Sequence, residues 1–178
     1  MAVLQIRTFG DPVLRQRAAE MDSITDLHRR LAADMIETMR EAPGVGLAGP
    51  QVGVLERIFV WEVEERHGTV INPLIVARSD ETVEEEEGCL SLPGLYYPVE
   101  RSAAVVVEGL DESGAAVRLE TEGLLARVCQ HEIDHLDGVL FIDHLPEELR
   151  KEALTRLRNE ALGLPSPPVQ PRPAEEAL

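Results

Sequence analysis

The sequence predicts the α+β class: antiparallel or mixed β-sheets packed around a central helix, with further helices toward the N- and C-terminal ends. Three observations predict it. Apolar residues recur at helical spacing in residues 22–43, strand-like runs separated by turn formers fill residues 57–122, and two more helical stretches occupy 124–145 and 146–162.

In order, DSITDLHRRLAADMIETMREAP places Ile24, Leu27, Leu31, Met35 and Met39 at steps of three and four, on one helical face. Ser23 with Asp26 reads as its capping start, and Pro43 with Gly44 as its stop. GVGLAGPQVG follows at 44–53. Gly44, Gly46 and Gly49 spell G-x-G-x-x-G, but a dinucleotide turn needs a strand before the glycines and a helix after them, so that the pyrophosphate meets the new helix's amides. Here a helix leads in and the strand-like RIFVWEV leads out, and Pro50 stands where the lysine of a phosphate loop belongs. The stretch reads instead as a flexible loop whose backbone approaches something closely.

A turn at His67 and Gly68 leads from RIFVWEV to TVINPLIVA, a second strand-like run. DETVEEEEG, with six carboxylates between Asp80 and Glu87, reads as a solvated loop. AAVVVEGL and AVRLETEG, separated by DESG, have the signature of a hairpin. LLARVCQHEIDHLDGVLFIDHL reads as a helix ending near Gly138, and PEELRKEALTRLRNEAL as a second, with Pro146 at its start and Gly163 just past its end. LPSPPVQPRPAEEAL carries five prolines and little to bury, so residues 1–163 are expected to form one domain and 164–178 a disordered tail.

Composition limits the possible functions. At 178 residues the chain suits one well-filled domain. It opens without a cationic stretch followed by an apolar run and has no unbroken apolar segment of the ~18 residues that suggest a membrane span, so a cytoplasmic protein is expected. Lys and Arg number 17 against 33 Asp and Glu, a net charge of −16 that would repel free nucleic acid and anionic lipid. Two cysteines, Cys89 and Cys129, are too few for a disulfide framework, which makes metal binding or catalysis the more natural special role.

HEIDH carries the chemistry. At about 100° per residue, His131 and His135 lie about 40° apart around a helix and one turn along it, so both imidazoles can reach one ion. Glu132 then stands beside the ion's open position, within reach of a water, as a general base. A third ligand decides the class. Downstream candidates are His144, Glu147 and Glu148, but His144 comes only nine residues after His135 and lacks the glycine turn of the metzincin pattern. Cys89, in EGCLS, is the better candidate, since its small or polar neighbours leave a thiolate free to face the histidine pair. Cys129 precedes His131 by two residues, about 200° around the helix, and reads as a small core residue.

Three stretches in this order, GVGLAGPQ, EGCLS and QHEIDHLDG, closely resemble the three signature motifs of the peptide deformylase family. The likeness continues through INPLI, PGLYYPVERS, LDESG and GLLARVCQHE, over about residues 3–160. The resemblance implies a metal held by Cys89, His131 and His135, with water as fourth ligand and Glu132 as base. It implies iron(II) in the cell, with zinc or nickel able to occupy the same site. Gln51 through its side-chain amide and Leu90 through its backbone N–H would donate to the formyl oxygen as it becomes an oxyanion, while Gly44 and Gly46 let the backbone run beside the substrate like an added strand. The implied substrate is the N-formyl-Met end of a nascent peptide, whose side chain calls for an apolar pocket; Val45, Leu124 and Val128 are the candidates.

Gly49 and Pro50 depart from the family's commoner residues before Gln51, and Glu85 and Arg127 stand where relatives are often aliphatic, which implies an altered pocket rim. Glu87 can pair with Arg101, either bracing the ligand strand or as a surface pair worth little. Three rivals remain at this level: an H-E-x-x-H metallopeptidase, a metal-stabilised module that binds formylated N-termini without turnover, and a nucleotide enzyme. Helix 147–160 carries Arg150, Lys151, Arg156 and Arg158 in an otherwise acidic chain; it either docks ribosomal RNA or is a solvated, salt-bridged helix.

Overall fold

Thr25, not Ser23, begins the first helix. α1 spans Asp26–Glu41 with Thr25 at its N-cap, and the Thr25 backbone N–H donates to Nδ1 of His28 at 3.0 Å. A histidine ring thus takes the place a Glu or Gln has in a capping box, which is why the Ser23–Asp26 pairing misplaced the start. Met35 and Met39 are buried, yet Leu27 is 72% exposed. Each step of four drifts by about 40°, so three such steps carry Leu27 about 120° from Met39 and out of the buried arc.

The computed structural model describes residues 2–165 and divides into two compact units, Met1–Leu145 and Pro146–Leu178. In the first unit the glycine stretch is ordered rather than a flexible loop. It forms a strand, β1 (Gly46–Ala48), and a 3-10 turn, Gly49–Val52, closed by Gly53 at φ 82. β1 pairs antiparallel with β2 (Ile58–Val63), Gly46 opposite Trp61 and Ala48 opposite Phe59. β2 pairs with β3 (Arg66–Arg78) across a two-residue turn, Val63 opposite Arg66. The turn is therefore at Glu64 and Glu65, with Glu64 at φ 58, and not at His67–Gly68. Gly68 lies within β3 opposite Trp61, where an added Cβ would meet the indole at 3.0 Å. The glycine makes room for a ring instead of a bend.

The acidic run is also a strand. β4 (Thr82–Glu87) pairs antiparallel with β5 (Tyr97–Ser102) in a separate two-stranded sheet. Glutamate is poor in strands and only Glu87 of this one is buried, so no hydrophobic alternation announces it. β6 (Ala104–Leu110) and β7 (Ala116–Glu122) form the expected hairpin and complete the antiparallel five-stranded sheet in the order β1-β2-β3-β6-β7.

Period-two alternation sorts the sheet's apolar residues between its faces. Ile58, Val60 and Ile71 cluster with Met35 and Met39 of α1. Phe59, Trp61, Val70, Val105 and Val107 cluster with Leu125, Val128 and Cys129 of α2 (Gly123–Leu136), which ends before Gly138 at φ 74. Each such side chain, fully buried, is worth roughly 1.5–3 kcal/mol, so α2 is fixed by its apolar side and its polar side is left for chemistry. The α+β class and antiparallel sheets around α2 are as expected. In the second unit α3 spans Glu147–Ala161, with Pro146 before it and Gly163 at φ 64 after it. From residue 166 onward the proline-rich stretch lies outside the described residues. No helix among them is long and apolar enough to cross a membrane.

Candidate metal centre and active site

β4 ends at Glu87, and the chain turns through Gly88 into Cys89. A Cβ on Gly88 would come within 2.5 Å of the Tyr96 ring, so glycine lets the cysteine loop pass beneath that aromatic. α2 brings His131 and His135 to meet it. The sulfur of Cys89 lies 3.2 Å from Nε2 of His135, and the two Nε2 atoms lie 3.2 Å apart. One ligand atom from each of the three residues falls within 4.8 Å of the others, the one such group among the described residues. His144 instead bonds Asp134 at 2.7 Å, and Cys129 is buried in the core, its thiol pushed up to about 12 by burial and then by Glu132.

The three donors fit a divalent ion. A thiol sulfur and two imidazole nitrogens converge in a buried place, the set that zinc and iron(II) favour. Glu87 Oε2 stands 3.0 Å from Nδ1 of His131. Burial alone would raise the Glu87 carboxyl, but hydrogen bonds from His131 and Arg101 hold it well below the usual carboxylate range. Burial alone would lower His131, but hydrogen bonds with Cys89 and Glu87 raise it well above the ordinary histidine range; with an ion at Nε2, the Glu87 carboxylate would hold the remaining ring proton on Nδ1. Burial keeps His135 well below the ordinary histidine range, hence neutral and able to ligate.

Behind the donors runs a buried ionic network. Arg101 donates to both oxygens of Glu87, at 2.7 and 3.0 Å, and to Asp134 at 2.6 Å. Arg127 donates to Glu87 at 2.8 Å, to Glu85 at 3.2 Å, and to the carbonyls of Val83 and Val99 at 2.8 Å each. The Glu87 and Arg101 side chains are only 3% and 6% exposed, which rules out a surface pair. Arg127 is likewise a buried tie between α2 and both strands of the small sheet.

Glu132 is buried with Oε2 lacking any hydrogen-bond partner. Burial raises its carboxyl to about 7; Glu87 and Asp134 add to the effect and His131 opposes it. The glycine of β1, Gly46, lets it sit there. A Cβ on Gly46 would fall 2.3 Å from Glu132 Oε1, and one on Gly44 2.7 Å from the Leu90 side chain. Gln51 is fully held: Oε1 accepts from the Ala48 N–H at 2.7 Å, and Nε2 lies 3.3 Å from Ser91 Oγ and 3.7 Å from Cys89 Sγ. These features line a cleft of about 390 Å³, in whose wall Val128 is buried while Val45 and Leu124 stand half exposed at the rim. Sequence reasoning missed Ser91 and the Ala48 amide as holders of Gln51, and Asp134 as a partner of Arg101. Ser91 lay in plain view as the last residue of EGCLS.

The model of the polypeptide deformylase family matches residues 3–151. The chain belongs to this family. Among curated relatives, the peptide deformylase of Acidothermus cellulolyticus is 52% identical over 158 residues, covering 89% of this chain and 87% of that protein. The crystal structure of the peptide deformylase from Thermus thermophilus superposes with a TM-score of 0.82 at 50% identity, covering 89% and 94% of the two chains. That from Ehrlichia chaffeensis gives 0.87 at 36% identity, covering 91% and 98%. As a polypeptide deformylase the chain is a metal-dependent hydrolase that takes the formyl group from nascent peptides. The metallopeptidase reading of HEIDH is not favoured.

Proposed function

We propose that this chain removes the formyl group from the N-terminal methionine of new polypeptides and releases formate, with Glu132 as the proton carrier beside an ion held by Cys89, His131 and His135. The unpartnered Oε2 of Glu132, buried next to the three donors, carries this reading. Iron(II) is the proposed ion in the cell, and zinc or nickel would also suit the donors. When bound, it supplies a Lewis acid and lowers the pKa of water.

The protein's own groups do the rest. Glu132, its carboxyl at about 7, is poised both to accept a proton from the attacking water and to return it to the leaving amine. Gln51 Nε2 and the Leu90 N–H are the donors for the carbonyl oxygen as it gains charge; losing one such donor typically costs about 3–4 kcal/mol of barrier. The other edge of β1, whose one strand neighbour is β2, pairs with the substrate backbone along residues 44–46. Val45, Leu124 and Val128 receive the methionine side chain. Nascent peptides place the enzyme in the cytoplasm, and the four basic residues of α3 dock it on the ribosome.

Glu132→Gln, loaded with metal to one ion per chain, should lose about 10²–10⁴-fold in kcat for a formyl-Met peptide. Turnover at the parent rate would end the proposal. Charge reversal at Arg150, Lys151, Arg156 and Arg158 should abolish co-sedimentation with ribosomes and leave turnover of a free formyl-peptide unchanged.

A further inference from the structure

The two oxyanion donors, Gln51 and Leu90, come from separate segments of the chain, and two side-chain contacts, from Gln51 Nε2 to Ser91 Oγ and to Cys89 Sγ, link those segments directly. A third segment joins their backbones. The Arg7 N–H donates to the Gln51 carbonyl at 2.7 Å, and the Phe9 N–H donates to the Ser91 carbonyl at 2.8 Å. Two residues of chain span at most about 7 Å, so residues 7–9 form a short tether with one end on each donor loop. The Arg7 guanidinium also lies over Gly53, where an added Cβ would meet Nε at 3.1 Å, and Gly53 closes the turn that carries Gln51.

The tether is anchored at both ends. Upstream, the Ala2 and Leu4 N–H groups donate to Asp34 and Thr38 of α1 at 2.8 and 2.9 Å. Downstream, Leu14 is buried, and the Ala18 N–H donates to the Leu136 carbonyl at 2.8 Å, one residue past His135. Fold stability alone would be served by bonds to any element. These two bonds fall on Gln51 itself and on the residue after Leu90.

We propose that residues 7–9 are a positioning device for the reaction: their two backbone N–H groups set the separation between the Gln51 and Leu90 donors. This rests on the assignment of those donors above. Misplacing a reacting group by ~1 Å can cost on the order of 10²-fold, so the spacing of two loops held by a tether this short governs kcat more than substrate binding.

The test uses the full-length, metal-loaded enzyme with an amide-to-ester replacement at Arg7 or Phe9, which deletes one N–H and keeps every side chain. Each should lower kcat by roughly tenfold or more, with KM within about twofold and one metal per chain retained. The same replacement at Leu4, whose N–H bonds α1, should lower Tm comparably and spare kcat. A glycine inserted after Thr8 keeps both donors but lengthens the tether, and should reproduce the kcat loss if an ester variant folds poorly. In a Gln51→Ala background the Arg7 ester should add almost nothing, since it acts through that side chain. Unchanged kcat in both esters and the insertion, an equal kcat loss from the Leu4 ester, or full additivity with Gln51→Ala overturns the proposal. If Gln51→Ala itself leaves kcat intact, the donor assignment fails instead.

Discussion

Glu87 is one carboxylate with three cationic or donor partners, namely Nδ1 of His131, Arg101 and Arg127. Outer partners of ligating histidines typically contribute 10–100-fold in metal affinity, so Glu87→Gln should weaken metal binding by about that factor in a chelator competition. Its folded-state carboxyl lies below its ordinary value of 4.5. The stabilisation it gives is therefore complete above that value and is lost as pH falls below it. The Tm gap between the parent and Glu87→Gln should be widest near neutral pH and narrow below about pH 4.5; a gap that grows in acid would contradict the buried network. At this scale the meeting of His131 and His135 was legible, because H-E-x-x-H puts imidazoles four apart on a helix. Ser91, Asp134 and the burial of Arg127 were not, because long-range hydrogen bonds leave no periodic trace in sequence.

Elements were legible where a period or a turn formula governs them, as in the β6–β7 hairpin and α2. They were obscured where tertiary contacts override propensity. β4 is made of glutamates and holds because β5 pairs with it, and Glu64–Glu65 turn where no glycine marks the place. β1 shows the opposite case, three residues set between glycines of a turn-like stretch and kept as strand by pairing to β2. Its glycine is needed for closeness, since a Cβ on Gly46 would stand 2.3 Å from Glu132 Oε1. Gly46→Ala should lower kcat by about 10²-fold through displacement of that carboxylate, with an unchanged circular dichroism spectrum. Gly44→Ala, which presses on the flexible Leu90 side chain, should cost less.

Over the whole molecule, the three grouped donors come from two places, Cys89 after β4 and the histidines of α2, so an ion held by them would join the end of the small sheet to the central helix. An ion at about 1,000 times its Kd adds about 4 kcal/mol of stability, worth roughly 10 °C of Tm in a unit of this size. Chelation should lower Tm by about that amount, and stoichiometric zinc should restore it. The α+β class and the antiparallel core were readable from the order of segments, while the division after Leu145 followed no change in composition. One carboxylate serving two guanidiniums and an imidazole also ties the breadth of the cleft to the strength of the metal grip. Trimming Arg127 to admit bulkier first residues would loosen Glu87 and, through it, His131, so re-engineering for new substrates will succeed only when wall and ligand sphere are redesigned as a single part.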